Sequence, residues 1–331
     1  MLSTFEILRT NLLSPIVLAF FLGIIVKLIR SELSLPKDLY ASLSIYLLLA
    51  LGLKGGVELS ESTFRAIALP ALATISLGCI TPVSAYILMR KLGKFNQIDA
   101  AGLAAHYGSV SAVTFIAANQ FVTSVGHTAE GFMPTLVTML ESPGILIALG
   151  IGAMKREKII AATPGGETKS RRTIFHEIFT SRSMVLLLGG LLIGFLTGAK
   201  SYEPVKPFFE GGFKGALVLF LLEMGIVAGA RLNDLKKVGG RLISLGIFIP
   251  ILHGMMGVIL GSLSGLTIGG ATVLGAMAAS ASYIAAPPAV RMTLPEANPT
   301  YYLTASLAVT FPFNLVLGIP LYYQLATWIH G

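Results

Sequence analysis

Charge is scarce in this sequence. Asp, Glu, Lys and Arg make up 12% of it, about half of the ~25% usual in soluble globular domains. That excludes a soluble domain with an ordinary charged surface, and an apolar fraction of 54% with mean hydropathy +0.79 says what stands in its place. Cysteine is scarcer still: the lone Cys79 lies inside an apolar run, so disulfides contribute nothing. No polar stretch is long enough to form a domain outside the apolar runs.

What is present is a succession of apolar runs of about 17 to 25 residues, the length that crosses ~30 Å of hydrocarbon. They predict an all-α polytopic membrane protein with ten transmembrane helices, near 14–30, 38–56, 64–89, 98–118, 132–154, 183–199, 214–231, 240–264, 268–290 and 300–328. The first is read as a span and not as a cleaved signal, because Lys27 and Arg30 follow its apolar run and no small-residue cleavage site comes after it.

A net charge of +8 raises the question of a nucleic-acid partner, and the placement of the cations answers it. The odd-numbered loops carry 18 Lys and Arg, whereas the N-terminus and the even-numbered loops carry 6. The positive-inside rule then puts the odd loops in the cytoplasm and both termini outside. The basicity is topological, and no nucleic acid is expected.

The two halves of the chain resemble each other. Adding 171 to a position takes Gly23 to Gly194, Ser109 to Ser280 and Ser111 to Ser282; in the second and seventh spans an offset of 173 lays LLALGLKGGVEL (48–59) on LLEMGIVAGARL (221–232). Five spans per half is an odd number, so the second half enters the membrane from the opposite side, giving a 5+5 inverted repeat, a construction common among transporters. Residues 1–154 form the first repeat, 155–182 a cytoplasmic linker made flexible by Thr163–Gly166, and 183–331 the second repeat. Small residues four apart also serve plain helix packing, and it is their coupling to the serine pairs that favours the repeat.

The stretch MAASASYIAAPPAVR (277–291) has a membrane helix's composition yet carries Ser280, Ser282 and a double proline. Proline lacks an N–H and clashes with the preceding turn, so Pro287 and Pro288 are expected to break the ninth span. Irregular backbone at membrane depth is tolerated only inside protein or around a water-filled cavity. The matching place in the fourth span is HYGSVSAVTF (106–115). Two broken helices meeting at the midplane would turn free N–H groups and positive dipole ends toward an anion. The hydroxyls of Ser109, Ser111, Thr114, Ser280 and Ser282 would complete its hydrogen bonds. The alternative for the serines is bonding to their own backbone or to a neighbouring helix.

Ionisable residues inside spans are costly unless partnered or placed along a pathway. Glu141, before Pro143 in the fifth span, is the candidate coupling-cation ligand or proton carrier, with a structural carboxyl as the alternative; Thr114, Tyr283 and Asn314, the last near the repeat counterpart of Glu141, complete the candidate cation set. Glu223, His106 and His253 read as structural. An intramembrane hydrolase pairing Ser109 with His106 lacks an acid or an oxyanion element, and a receptor without transport leaves the two breaks unexplained. Alanine at Ser111 and Ser282 is expected to remove ligands without unfolding the chain.

AASASYIAAPPAVRMTLPEANPTYYL (278–303), with weaker support from GSVSAVTF, ESPGI and LEMGIVAGARLNDL, resembles the sodium-dependent bicarbonate transporters known from cyanobacteria. The resemblance spans nearly the whole chain. It implies a homotrimer in the membrane lipid, with spans 1, 2, 6 and 7 as a gate or scaffold and the remaining spans as a core. It also implies bicarbonate between the fourth and ninth spans, at Ser109, Val110, Ser111, Ser280, Ala281 and Ser282, Na⁺ as coupling ion with no other cofactor, and a small PII-like cytoplasmic regulator. Tyr283 departs from the pattern, which has aspartate there. The function implied is Na⁺-dependent bicarbonate symport by alternating access; the alternative is a permease for another small anion or carboxylate, or one driven by H⁺ through Glu141.

Overall fold

The computed structural model describes residue 9 and residues 12–61, 63–161, 182–283 and 285–331. Most of the expected linker, 162–181, including Thr163–Gly166, lies outside the described residues. Among the described residues there are helices and connecting turns and no β-strand. The helices are α1 (Pro15–Leu28), α2 (Lys37–Glu61), α3 (Phe64–Lys91), α4 (Gln97–Tyr107), α5 (Ala112–Ser124), α6 (Met133–Ala161), α7 (Arg182–Tyr202), α8 (Phe213–Arg231), α9 (Leu235–Leu263), α10 (Ile268–Ala278), α11 (Ala286–Thr293) and α12 (Pro299–His330).

Among the described residues, six helical stretches are long and apolar enough to cross a membrane, and one of them, Pro207–Leu263, takes in both α8 and α9 and leaves helical geometry at Gly239, where φ is +77°. The 14 residues of α1 rise only about 21 Å at 1.5 Å per residue, and α10 is shorter still. The sequence supplies clear starts. Ser14 caps α1, accepting from the Val17 N–H at 3.3 Å with Pro15 in the first turn. Asn96 caps α4 and Thr267 caps α10, through the Asp99 and Gly270 N–H groups at 2.8 and 3.2 Å.

α1 packs along α8 and α2 along α7. Both crossings depend on residues without a Cβ: one added at Gly23 would lie 2.1 Å from the Leu222 carbonyl oxygen, and one at Gly194 would lie 2.1 Å from that of Leu53. Backbone-to-backbone contact of this kind is what small residues provide between membrane helices, where dispersion drives association in place of the hydrophobic effect.

The remaining helices pack around α4 and α10, both almost wholly buried. These two have the same length, and their ends are related by the 171-residue offset, Gln97 to Ile268 and Tyr107 to Ala278. Carboxylates fasten each to the other half of the chain. Asp99 in α4 accepts from the Asn298 N–H at 2.7 Å, and Glu130, in the connection after α5, accepts from the Thr267 N–H at 2.6 Å.

The prolines act differently from expectation. The ninth span stops at Ala278, well before them, and Pro287 and Pro288 stand in the first turn of α11. A first-turn proline sacrifices no helical hydrogen bond, so these residues start the second half-helix and do not break the first. In α12, by contrast, the turns preceding Pro312 and Pro320 widen into π-helix, at Ala305–Thr310 and Asn314–Gly318. Such local widening re-accommodates the hydrogen bonds that a proline displaces.

Candidate functional site

Between α4 and α5 the chain leaves the helix over Gly108–Ser111, and between α10 and α11 over Ser280–Ser282. Glycine and serine explain the first interruption: Gly108 is a poor helix former, and Ser111 bonds to the backbone ahead of it, accepting from the Thr114 N–H at 3.2 Å as the cap of α5. In the second, the Ser280 hydroxyl donates back to the Met277 carbonyl at 2.7 Å, and Ser282 accepts from the Ala286 N–H at 3.3 Å.

The two interruptions are bonded to each other. The Ser111 N–H donates to Ser280 Oγ at 2.8 Å, and the Ser282 N–H donates to the His106 carbonyl at 2.8 Å. The arrangement is asymmetric in one respect. Ser280 stands between the Ser111 amide and the Met277 carbonyl, whereas Ser282 reaches the carbonyl of α4 directly and leaves Ser109 out. Ser109 Oγ is buried without a hydrogen-bond partner, in a residue 2% exposed. A hydroxyl in that state costs about 1–3 kcal/mol unless something else meets it. Close packing holds the crossing in place: a Cβ on Gly144 of α6 would lie 1.6 Å from the Gly108 carbonyl oxygen.

One face of α12 ties down both half-helices. At the end of α4, the Tyr107 hydroxyl bonds Thr310 Oγ1 at 2.7 Å, and Thr310 passes its own proton to the Gly246 carbonyl at 2.7 Å. At the end of α10, Asn314 Nδ2 donates to the Ala279 carbonyl at 2.8 Å, while Asn314 Oδ1 lies 3.1 Å from the Tyr322 hydroxyl. Thr310 and Asn314 are four apart, hence on one face.

The residues singled out from the sequence therefore fall as follows. Ser109, Val110, Ser111, Ser280, Ala281 and Ser282 come together, all buried. The amides of Ser111 and Ser282 are spent joining the interruptions, and Ser111 is also a cap, so alanine at Ser111 removes more than a ligand. Thr114 lies in the first turn of α5, buried. The Tyr283 ring packs edge-on to Phe311 with centroids 5.5 Å apart, with its hydroxyl beside Ser111. Glu141 is 4% exposed and one turn before Gly144 on α6. Asn314 is engaged at both ends of its amide. His106 bonds the Gly102 carbonyl at 2.8 Å and stacks on Tyr302, and His253 meets Ser84 at 2.7 Å. His106 and Ser109 do not bond each other, so the nucleophile–base pair of a hydrolase is not formed.

Sequence reasoning missed the fastening by Asp99 and Glu130 and the role of Thr310. For Asp99 a signal existed, the Asn-x-x-Asp spacing of 96 to 99 that marks a helix start. All three meet partners more than sixty residues away.

Broken, buried, apolar helices crossing in the interior of a helical bundle are a construction common among membrane transporters. The chain belongs to the Na⁺-dependent bicarbonate transporter superfamily, whose family model matches residues 15–327. No curated relative matches the chain.

Proposed function

We propose that the protein is a Na⁺-coupled bicarbonate symporter of the bacterial inner membrane, working by alternating access. In this reading ten spans form a 5+5 inverted repeat: α1 to α6 (first half), and α7 to α12 (second half), with α4–α5 and α10–α11 as the broken fourth and ninth spans. The shared 171-residue offset of α4 and α10, and the equal contacts of Gly23 and Gly194, support the repeat. α1, α2, α7 and α8 form the gate, the other helices the core, and both termini lie outside. A homotrimer in lipid with a PII-like cytoplasmic regulator completes the reading.

The observation that carries it is the cross-bonded pair of interruptions with the Ser109 hydroxyl left over. Bicarbonate, an acceptor of several hydrogen bonds, meets that hydroxyl and the first-turn amides of α5, whose dipole end is positive. Na⁺ near Thr114, Glu141, Tyr283 and Asn314 offsets the cost of desolvating the anion, since an isolated charge is expensive in a low-dielectric pocket. Tyr283 in place of a carboxylate leaves Glu141 as the only acidic member of that set. Its burial favours one second reading, in which Glu141 carries H⁺ in place of Na⁺ coordination.

The test is uptake of labelled bicarbonate into proteoliposomes. Accumulation under an inward Na⁺ gradient, with none under an equal K⁺ gradient, is expected. Accumulation driven by a pH gradient alone selects the proton reading, and no accumulation under either removes bicarbonate as the substrate.

A further inference from the structure

A cavity of ≈ 240 Å³ opens between α1, α5, α8 and α12, with Ser14, Ala117, Gln120, Ser124, Lys214 and Leu315 among its lining residues. That is far above the ~10–15 Å³ one water requires, leaving room for a small anion with part of its hydration. On α5 the lining residues 117, 120, 121 and 124 follow helical spacing, so the cavity runs along one face of that helix. From Ser124 to Ala117 it descends about 10 Å at 1.5 Å per residue. Ala117 stands five residues beyond Ala112, where α5 leaves the interruption.

Among the described residues, the only ionisable side chain lining the cavity is cationic. Lys214 is exposed in the first turn of α8, and among the described residues it takes part in no ion pair. The N-terminal end of α1 meets the cavity with no acidic residue in its first turn, and Glu210, one turn before Lys214, is not among the lining residues. No carboxylate lines the cavity. Below it the way is shut by rings. One turn along from Val17 and Leu315, Phe20 and Phe311 pack edge-on with centroids 5.2 Å apart, and Phe311 packs against Tyr283 beside the second interruption.

We propose that this cavity is the outward vestibule of the transport path, that Lys214 collects a small monovalent oxyanion there, and that the Phe20–Phe311–Tyr283 stack closes it off from the site below. The proposal rests on the transport reading and on the sidedness given above. Lys214 acts at a distance, raising the local anion concentration without entering the site. Its loss raises KM and leaves kcat unchanged.

The test has an arm that does not depend on transport. In a Cys79→Ser background, Ser124→Cys is labelled on right-side-out cells with an anionic sulfonatoethyl and a cationic trimethylammonioethyl methanethiosulfonate. The anionic reagent is expected to gain on the cationic one, and Lys214→Gln to lower their rate ratio roughly five- to tenfold at low salt, with Lys214→Glu lowering it further. The difference should collapse near 1 M salt, where the Debye length is ~3 Å. In uptake assays Lys214→Gln is expected to raise the bicarbonate KM about threefold or more, with Lys214→Arg near wild type. A rate ratio indifferent to Lys214, or labelling from inverted vesicles only, overturns the proposal. Failure of wild-type uptake with the labelling pattern intact instead rejects the bicarbonate reading and leaves the anion vestibule standing.

Discussion

Gly144→Ala is the perturbation for which the structure gives the sharpest magnitude. A Cβ there would lie 1.6 Å from the Gly108 carbonyl oxygen and 2.3 Å from its carbon, where carbon and carbonyl oxygen ordinarily stand ~3.3 Å or more apart. The obstacle is backbone, so no side chain can rotate away, and α6 must part from the end of α4 by roughly 1.5 Å. Overpacking of a well-filled interior typically costs about 1–3 kcal/mol. The upper end is expected, because the displaced carbonyl belongs to the residue that opens the interruption. Gly150→Ala on the same helix is the matched control. Its Cβ would meet nothing within 4 Å, and replacing a helical glycine by alanine stabilises by about 0.5–1 kcal/mol. Thermal unfolding of the purified protein in detergent should therefore move in opposite directions for the two variants, and uptake should be lost only in Gly144→Ala. Indistinguishable melting and uptake for the two would refute the close crossing.

Two further substitutions separate support from binding. Ser280→Ala leaves the Ser111 N–H buried without its acceptor, so it should destabilise by about 1–3 kcal/mol, seen as a lower melting temperature with or without bicarbonate present. Asn314→Leu deprives the Ala279 carbonyl of its donor and is expected to cost a similar ~1–3 kcal/mol and abolish uptake, whereas Asn314→Gln keeps the amide chemistry and should retain part of the stability. Equal melting of Asn314→Leu and wild type would show that the tie from α12 contributes nothing.

Much of the helical plan was legible because membrane helices announce themselves by length and apolarity, and caps such as Ser14, Asn96 and Thr267 mark their starts. The paired interruptions were legible too, from Gly108 with Ser109 and Ser111, and from Ser280 with Ser282. The prolines misled, since their effect depends on position within a turn: the same residue breaks a helix in its interior and begins one in its first turn. The site was legible in composition and not in connectivity. Nothing in the local pattern says that the Ser111 amide goes to Ser280 while Ser109 is left over, or that Asn314 reaches across to Ala279. These are choices among buried partners far apart in the chain, settled by packing. The Glu130 carboxylate at the start of α10 and the wide turns of α12 were invisible for the same reason.

The central claim is that an anion completes the hydrogen bonding of the two interruptions at Ser109. Its most direct test is calorimetric titration of bicarbonate into the purified protein, with and without Na⁺, comparing wild type with Ser109→Ala. That substitution removes a hydroxyl with no protein partner, so it should leave the melting temperature near wild type or slightly above it. It should weaken Na⁺-dependent bicarbonate binding about tenfold, the equivalent of ~1.4 kcal/mol for one hydrogen bond to a charged ligand. Unchanged affinity in a folded Ser109→Ala protein would contradict the account.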